Sequence, residues 1–231
     1  MTQLAAPRET DPPVTGARSL AVFDLDGTLT RRDTLGPYLA GFLRRHPARI
    51  ARLVRVLPAI ARFAWRRDRG DLKAAAIQAA LGGVRRADLD EWTAQFVATL
   101  LERGLFEDAR AALEAHRRHG DSLALLSASP DLYVPAIARA LGFAESMCTG
   151  IEWRGDRLVG RLVTPNRRGA EKARCFGALR RLHPELEAAA YGNSESDLEH
   201  LALADRGVLV NGSARARRRA ARLGVACRTW R

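Results

Sequence analysis

The sequence predicts an α/β fold: a doubly wound parallel sheet with an all-helical cap inserted after the first strand. Three observations predict it. Short apolar runs alternate with helical patterns through the second half of the chain, the signature of βα units. The first run, Ser19 to Phe23 (SLAVF), ends abruptly at Asp24, with the length and flanks of a buried parallel strand. Between Thr34 and Leu113 the apolar residues recur at three- and four-residue spacing instead, which marks helices.

Taken in order, residues 1–18 mix Pro, Thr, Glu and Asp without an apolar centre and read as a flexible leader, not a signal peptide. Asp24 to Thr30 (DLDGTLT) reads as a loop with a Gly turn. Ile50, Leu53, Val54, Leu57, Ile60, Ala61 and Ala64 then form one helix face, with Pro58 expected to kink or split it. Gly70, Gly82-Gly83 and Gly104 are breaks between helices. Ser122 to Leu126 (SLALL) is the second strand. Ser129-Pro130 reads as an N-cap followed by proline, opening a helix from Pro130 to about Leu141. Met147 to Trp153 and Arg157 to Val163 flank Gly155-Asp156 as a hairpin. A helix over Ala170 to Leu182, a strand over Glu187 to Tyr191, a helix over Leu198 to Ala204, a strand over Gly207 to Val210 and a basic helix over Ala214 to Leu223 complete the chain. The domain reading is a core of residues 19–33 and 114–231, with residues 34–113 as the helical cap.

The 231 residues suffice for one domain with a sizeable insert, and 47% of them are hydrophobic, so a packed core is expected. The formal net charge of +12 favours anionic partners. The basic residues are 36 Arg and only two Lys, Lys73 and Lys172. Any position that keeps a lysine against that background gains interest. Three well-separated cysteines, Cys148, Cys175 and Cys227, imply neither a disulfide framework nor a metal cluster and suit a reducing cytosol. No apolar run reaches the roughly 18–20 residues needed to span a bilayer. The cluster Arg215, Arg217, Arg218, Arg219 and Arg222 lacks interleaved aromatics and any nucleic-acid motif, so a solvated helix is expected there and no nucleic-acid partner.

In parallel sheets of this kind ligands bind beyond the carboxyl ends of the strands. Three strand ends carry polar residues: Asp24 and Asp26, then Ser127, then Asn193 and Asp197. They are expected to meet in one crevice. Carboxylates as close as Asp24 and Asp26 call for a cation between them or a shared proton. Oxygen ligands suit magnesium, and an aspartate can attack phosphorus. Each residue also has an ordinary use: a strand-end turn for DxD, a strand end for Ser127, a solvated surface for Lys172, a helix start for Asp197.

The string FDLDGTLT resembles the first signature of the haloacid dehalogenase superfamily. The later signatures follow in order: Ser127 at the end of SLALL, Lys172 at the opening of a helix, and YGNSESD over Tyr191 to Asp197. The helical insert and Asp33-Thr34 after DGTLT resemble the phosphoserine-phosphatase-like subclass. The likeness covers roughly Ser19 to Val210. It implies a magnesium-dependent phosphomonoesterase in which Asp24 is the nucleophile and a metal ligand. Asp26 would protonate the leaving alcohol and then activate water, its carbonyl also touching the metal. Ser127 and the N–H of Ala128 would hold phosphoryl oxygens, and Lys172 would neutralise charge shared by nucleophile and phosphoryl group. Asn193 would bind the metal directly, and Asp197 would hold metal-bound water. The usual pattern has Asp at position 193. Asn keeps the ligating oxygen but removes one negative charge.

The resemblance makes the insert a lid that selects substrate, with phosphoserine-like metabolites, lipid phosphates or histidinol phosphate as substrate classes. Asp33 matches a hinge position where an acid reads a substrate amine; capping a helix is its other use. Between Gly41 and Arg67 there are eight Arg and no acid. The expectation is an apolar face packed on neighbouring helices and a solvated Arg face. The alternative is a basic amphipathic helix on an anionic membrane, over residues 44–67, with Phe63 and Trp65 reaching the lipid interface, as in bacterial lipid-phosphate phosphatases of that subclass. The location implied is cytoplasmic, or peripheral at the inner membrane face. The rival reading from another class is a catalytically idle module that binds anionic ligands or membrane through its Arg-rich insert.

Overall fold

A computed structural model describes residues 18–66 and 68–231. The expected leader lies outside the described residues except for Arg18. Strand β1 (Ser19–Phe23) is buried at every position. After it come α1 (Leu35–Arg45), a 3-10 helix (Pro47–Val56), α2 (Leu57–Arg66), α3 (Arg69–Leu81), α4 (Arg86–Arg103) and α5 (Glu107–His119). The second half runs β2 (Ser122–Pro130), α6 (Val134–Ala140), β3 (Glu145–Thr149), β4 (Ile151–Arg154), β5 (Arg157–Leu162), α7 (Ala170–Leu182), β6 (Glu187–Gly192), α8 (Leu198–Ala202), β7 (Arg206–Val210), α9 (Ala214–Arg222) and β8 (Ala226–Arg228).

Six strands form one parallel sheet in the order β3-β2-β1-β6-β7-β8. Successive side chains of a strand point to opposite faces, and here both faces are covered. Ala21, Phe23, Leu123 and Leu125 join a cluster with Leu113 of α5 and Ile137 of α6. Leu20, Val22, Ala124 and Leu126 join the other, with Phe176 of α7, Leu198 of α8 and Ala220 of α9. The sheet is therefore doubly wound, as expected. The chain leaves β1 toward β2 on one side and returns to β6 on the other, so the topological switch point lies at the carboxyl end of β1.

Several elements differ from the sequence-based expectation. The helix expected from Pro130 starts four residues later, at Val134, because β2 continues through Pro130. Ser129 caps no helix; its hydroxyl donates to Asp26 instead. The expected hairpin is divided: Glu145–Thr149 pairs with β2 in the main sheet, and only Ile151–Arg154 pairs antiparallel with β5. The short edge strand β8 went unread, being only three residues of mixed character. Helix α5 packs on the sheet rather than on the other inserted helices.

The Ile50-to-Ala64 stripe is the largest correction. The break comes at Val56/Leu57, just before Pro58, which sits in the first turn of α2 where no backbone N–H partner is needed. Val56, Ala59 and Phe63 face inward, while Ile50, Val54, Leu57 and Ile60 are at least half exposed. Arg52, expected on a solvated face, and Arg49 reach back to carbonyls at the end of α3: Arg49 to Ala80 and Gly82, Arg52 to Gly82. These guanidiniums satisfy the orphan carbonyls of that helix end, and doing so rotates the long apolar stripe outward.

The β4–β5 hairpin is stitched to the inserted helices by Gly83 N to Leu158 O at 2.8 Å and Arg86 N to Asp156 O at 2.7 Å. At the seam Gly160 has φ +90°, and a Cβ there would lie 2.9 Å from Cα of Gln78 in α3. Gly160→Ala combines backbone strain with a backbone clash, so we expect a loss of about 1–3 kcal/mol, measured by urea denaturation.

Candidate active site

Strand β1 delivers Asp24 to the switch point, and Asp24 N donates to the Tyr191 carbonyl of β6 at 2.9 Å. The following loop turns tightly on Gly27, whose φ is +79°. A Cβ at Gly27 would lie 2.1 Å from Nδ2 of Asn193, so only glycine lets this loop close on the loop after β6. Lys172, in the first turn of α7, is 2% exposed. Its Nζ donates to Asp24 Oδ1 and to Asp197 Oδ1, both at 2.6 Å. Asp24 Oδ2 accepts from the Thr28 hydroxyl at 3.2 Å. Asp197 Oδ2 accepts from the backbone N–H groups of Asn193 and Ser194 and from the Ser194 hydroxyl, which folds the 193–197 loop around it.

The electrostatics follow from burial. Taking a carboxylate out of water favours its neutral form. Burial, only partly opposed by Lys172, pushes Asp24 up to about 7. Burial works the same way on Asp197, but Lys172 and the hydrogen bonds from Lys172 and Ser194 outweigh it and hold that carboxyl well below the ordinary range. Burial also works against the Lys172 charge, and the two aspartates outweigh it, so the ammonium is raised. One ammonium thus faces two buried carboxylates, with a third, Asp26, nearby.

Asp26 is held on both oxygens. Oδ1 accepts from Thr34 N and Thr34 Oγ1, each at 2.7 Å, and Oδ2 from Ser129 Oγ. Burial raises its pKa, while Ser129 and Thr34 pull it down. The Thr34 hydroxyl is 3.0 Å from the Tyr133 hydroxyl, so Asp26 is linked through Thr34 to α6.

Asp24, Asp26, Asp33, Ala128, Lys172, Asn193 and Asp197 all line one cavity of about 830 Å³, so the sequence-based set converges, with one exception. Ser127 is fully buried, accepts from Ser129 N at 3.0 Å and is not on the cavity wall; its neighbours Ala128 and Ser129 are. Asp33 uses Oδ1 to accept from Leu35 N at 3.0 Å and Gly36 N at 3.4 Å, the helix-capping use of that side chain. Ser129, Thr34 and Lys73 were not read as site residues. Lys73 had a signal in its rarity, and Thr34 in the Asp33-Thr34 pair of the resemblance, which assigned it no role. Lys73 rises from α3 into the cavity, where Nζ donates to the Ala128 carbonyl and to Asn166 Oδ1, and burial lowers it to about 8.

The fit of a divalent cation can be judged from the donors. Among the described residues no three His, Cys, Asp or Glu side chains converge as a metal cluster. The available set is Asp24, Asp197, the Asn193 amide oxygen and the Asp26 carbonyl, all hard oxygen donors of the kind magnesium takes. Buried negative charge in excess of Lys172, expressed in the raised Asp24, is what such a cation offsets. The residues fit.

The haloacid dehalogenase-like hydrolase model matches residues 21–202, which include Asp24, Lys172 and Asp197. The chain belongs to that family. The sequence-based expectation of a hydrolase of the haloacid dehalogenase superfamily therefore stands. The chain is 34% identical over 202 residues to Protein CicA of Caulobacter vibrioides, covering 84% of this chain and 88% of that protein. It is 26% identical over 233 residues to Phosphoserine phosphatase SerB1 of Mycobacterium tuberculosis, covering 98% of this chain and 75% of that one. Among solved structures, a protein of unknown function from Bordetella pertussis Tohama I superposes with a TM-score of 0.75 at 24% identity, over 91% of this chain and 98% of that. An apo phosphoserine phosphatase does so with 0.62 at 13% identity, over 91% and 92%. At these identities the superpositions speak for the fold of this hydrolase.

Removing the central ammonium should expose what it holds together. Lys172→Met leaves two buried carboxylates facing each other, and stripping one partner from a buried ionic network costs about 3–5 kcal/mol. In the variant Asp24, already raised by burial, loses the charge that opposes that rise, and Asp197 loses its main counter-charge, so the stability deficit grows as pH rises and both carboxyls ionise. Without divalent cation, urea denaturation at pH 7 should show a larger deficit against wild type than at pH 5.

Proposed function

We propose that this hydrolase is a magnesium-dependent phosphomonoesterase working through an aspartyl-phosphate. The observation that carries the reading is the buried Asp24–Lys172–Asp197 bridge on the wall of a cavity large enough for a small ligand. In this reading Asp24 attacks phosphorus while Asp26 gives its proton to the departing alkoxide. Asp26 then takes a proton from water as that water attacks the acyl phosphate, releasing phosphate and restoring Asp24. The raised Asp26 suits a group that must first hold a proton and then accept one. Ala128 N–H positions a phosphoryl oxygen, and Lys172 offsets its charge. Asp24, Asn193 and the Asp26 carbonyl would hold magnesium, Asp197 standing behind them, and the ion would supply charge neutralisation to the phosphoryl group. The helices of residues 34–113, apart from α5, would form the lid.

Substrate is a phosphorylated small metabolite or a lipid phosphate. The relative named phosphoserine phosphatase supports the first. Asp33, whose Oδ1 accepts from Leu35 N and Gly36 N, also lines the cavity. The test is p-nitrophenyl phosphate hydrolysis. Wild type should turn over with magnesium and stop with chelator, and Asp24→Asn should fall by about three orders of magnitude or more. Full turnover by Asp24→Asn would remove the nucleophile. Failure of wild type on every phosphoester tried would favour the idle binding module.

A specific observation favours a second reading, contact of residues 44–66 with an anionic membrane. Val54 is 63% exposed, Leu57 58% and Trp65 86%. Arg44, Arg45, Arg55, Arg62 and Arg66 share this segment, which carries no acid. A second copy would oppose Arg to Arg; an anionic lipid surface complements both the charge and the apolar face. On the inward side of α2, Phe63 lines the catalytic cavity. Among the described residues no helix is long and apolar enough to cross a membrane. Wild type should co-sediment with phosphatidylglycerol/phosphatidylcholine vesicles at low salt, and Val54→Glu/Leu57→Glu should release it without loss of p-nitrophenyl phosphate turnover. Wild type remaining in the supernatant overturns this reading.

A further inference from the structure

The catalytic cavity contains more positive charge than one phosphoryl group needs, and part of it has no hydrogen-bond or ion-pair partner among the described residues. Lys172 is committed to Asp24 and Asp197. Arg167, also on the wall, donates to the Cys148 carbonyl and stands 3.9 Å from Glu171. Arg69, at the start of α3, and Arg168, on the loop before α7, line the same cavity, and their guanidiniums make no hydrogen bond or ion pair among the described residues. They are close enough to oppose each other: burial, and then the Arg69 charge, draw Arg168 below the ordinary guanidinium range. Deeper in the cavity Lys73 spends its ammonium on two neutral oxygens, Ala128 O and Asn166 Oδ1, with no carboxylate in contact. Two like charges side by side, and a partly buried ammonium whose nearest carboxylates, Asp26 and Asp33, act on it only from a distance, are unfavourable by themselves. An anion placed among them relieves both.

The three come from two directions. Arg69 and Lys73 stand four residues apart on α3, so they share one helix face. Arg168 approaches from the core loop that also carries Asn166. Arg168 is within electrostatic reach of Asp24 and Asp197, and Lys73 of Asp26, Asp33 and Arg168. The cluster therefore adjoins the phosphoryl site without overlapping it. A guanidinium presents a planar fork to phosphate or carboxylate.

We propose that Arg69, Arg168 and Lys73 form a second anion subsite, so that the substrate is a phosphomonoester carrying a further anionic group. This rests on the phosphomonoesterase reading for what is cleaved, but the subsite can be tested by binding alone. A substrate that bridges it would tie α3 to the core loop while the scissile phosphate lies at Asp24. A zwitterionic ester, whose charges beyond the phosphate cancel, uses the subsite less fully than one with an uncompensated second anion.

The experiment is calorimetric titration of the intact protein in magnesium buffer with three non-hydrolysable probes: propylphosphonate, 3-phosphonopropanoate and propane-1,3-bisphosphonate. We expect both doubly anionic probes to bind about tenfold tighter than propylphosphonate or more, the gain of one charge-assisted contact. The two arms separate a carboxylate-selective from a phosphate-selective subsite. Arg69→Ala/Arg168→Ala should bring the three probes to within about twofold of each other, which also excludes chelation of magnesium as the source of the preference. Lys73→Met should reduce the preference in part. Equal affinity of wild type for all three probes overturns the proposal, as does a preference that survives the double variant. Failure of the phosphatase reading would appear separately, as absent turnover of p-nitrophenyl phosphate beside an intact binding preference.

Discussion

The architecture of this site depends on one interaction, the bridge from the Lys172 ammonium to Asp24 and Asp197. It joins three elements that meet nowhere else in sequence: the end of β1, the first turn of α7 and the loop after β6. Neither carboxylate could be buried alone, since an ionised group transferred from water into a protein interior is stabilised only by a partner. The ammonium could not be buried alone either. Burial of all three is therefore cooperative, and closing the sheet at its switch point assembles the charge cluster in the same step. The cluster is left one positive charge short. That deficit raises Asp24 and prepares the place for a cation.

Much of the core was legible because its signals are local. A five-residue apolar run ending in Asp, a second ending near Ser127 and a third ending at Gly192 fix three central parallel strands, and period-two burial on both faces follows from them. Failures came where tertiary contacts overrode local chemistry. Ser129-Pro130 has the form of a helix start, yet the Asp26 carboxylate is a better acceptor for the Ser129 hydroxyl than an N-terminal N–H is a donor. The strand continues, and the helix waits for Val134. Met147 to Trp153 reads as one strand, but Gly150 interrupts it, so its first part pairs in the main sheet and its second part in a hairpin.

The inserted helices were less legible for a related reason. Amphipathic periodicity locates an apolar stripe but does not say which face will be covered. In the Pro47–Arg66 segment the stripe of larger side chains faces outward, and the smaller Val56 and Ala59 with Phe63 face inward. Arg49 and Arg52 help hold this orientation, since among the described residues theirs are the side chains that donate to the Ala80 and Gly82 carbonyls at the end of α3. In the site, Asp24, Asp26, Lys172, Asn193 and Asp197 could be found by sequence because the resemblance carries them. Ser129 carried no such signal, and the resemblance included Thr34 without giving it a role. They matter because both Asp26 oxygens must be satisfied, and the Thr34–Tyr133 contact extends that requirement from the first loop to α6.

The two lysines show how a weak compositional signal becomes a physical one. A chain that uses Arg at 36 positions keeps Lys at two, and both reach the same cavity. Lys172 must put a single charge 2.6 Å from two carboxylate oxygens on different loops. A planar guanidinium, broader and with fixed donor directions, would push Asp24 and Asp197 apart. Lys73 must slip between a strand-end carbonyl and Asn166 where the wall is formed by Leu72 and Ala76, and a slender stem with a rotating ammonium meets that demand. The arginines take the opposite positions. Arg69 and Arg168 are exposed residues of the cavity wall, where a fork can turn toward a planar or tetrahedral anion. Lysine inside and arginine at the mouth is thus an ordering by available space: point charges where the protein's own oxygens fix the geometry, forks where a ligand is to supply it.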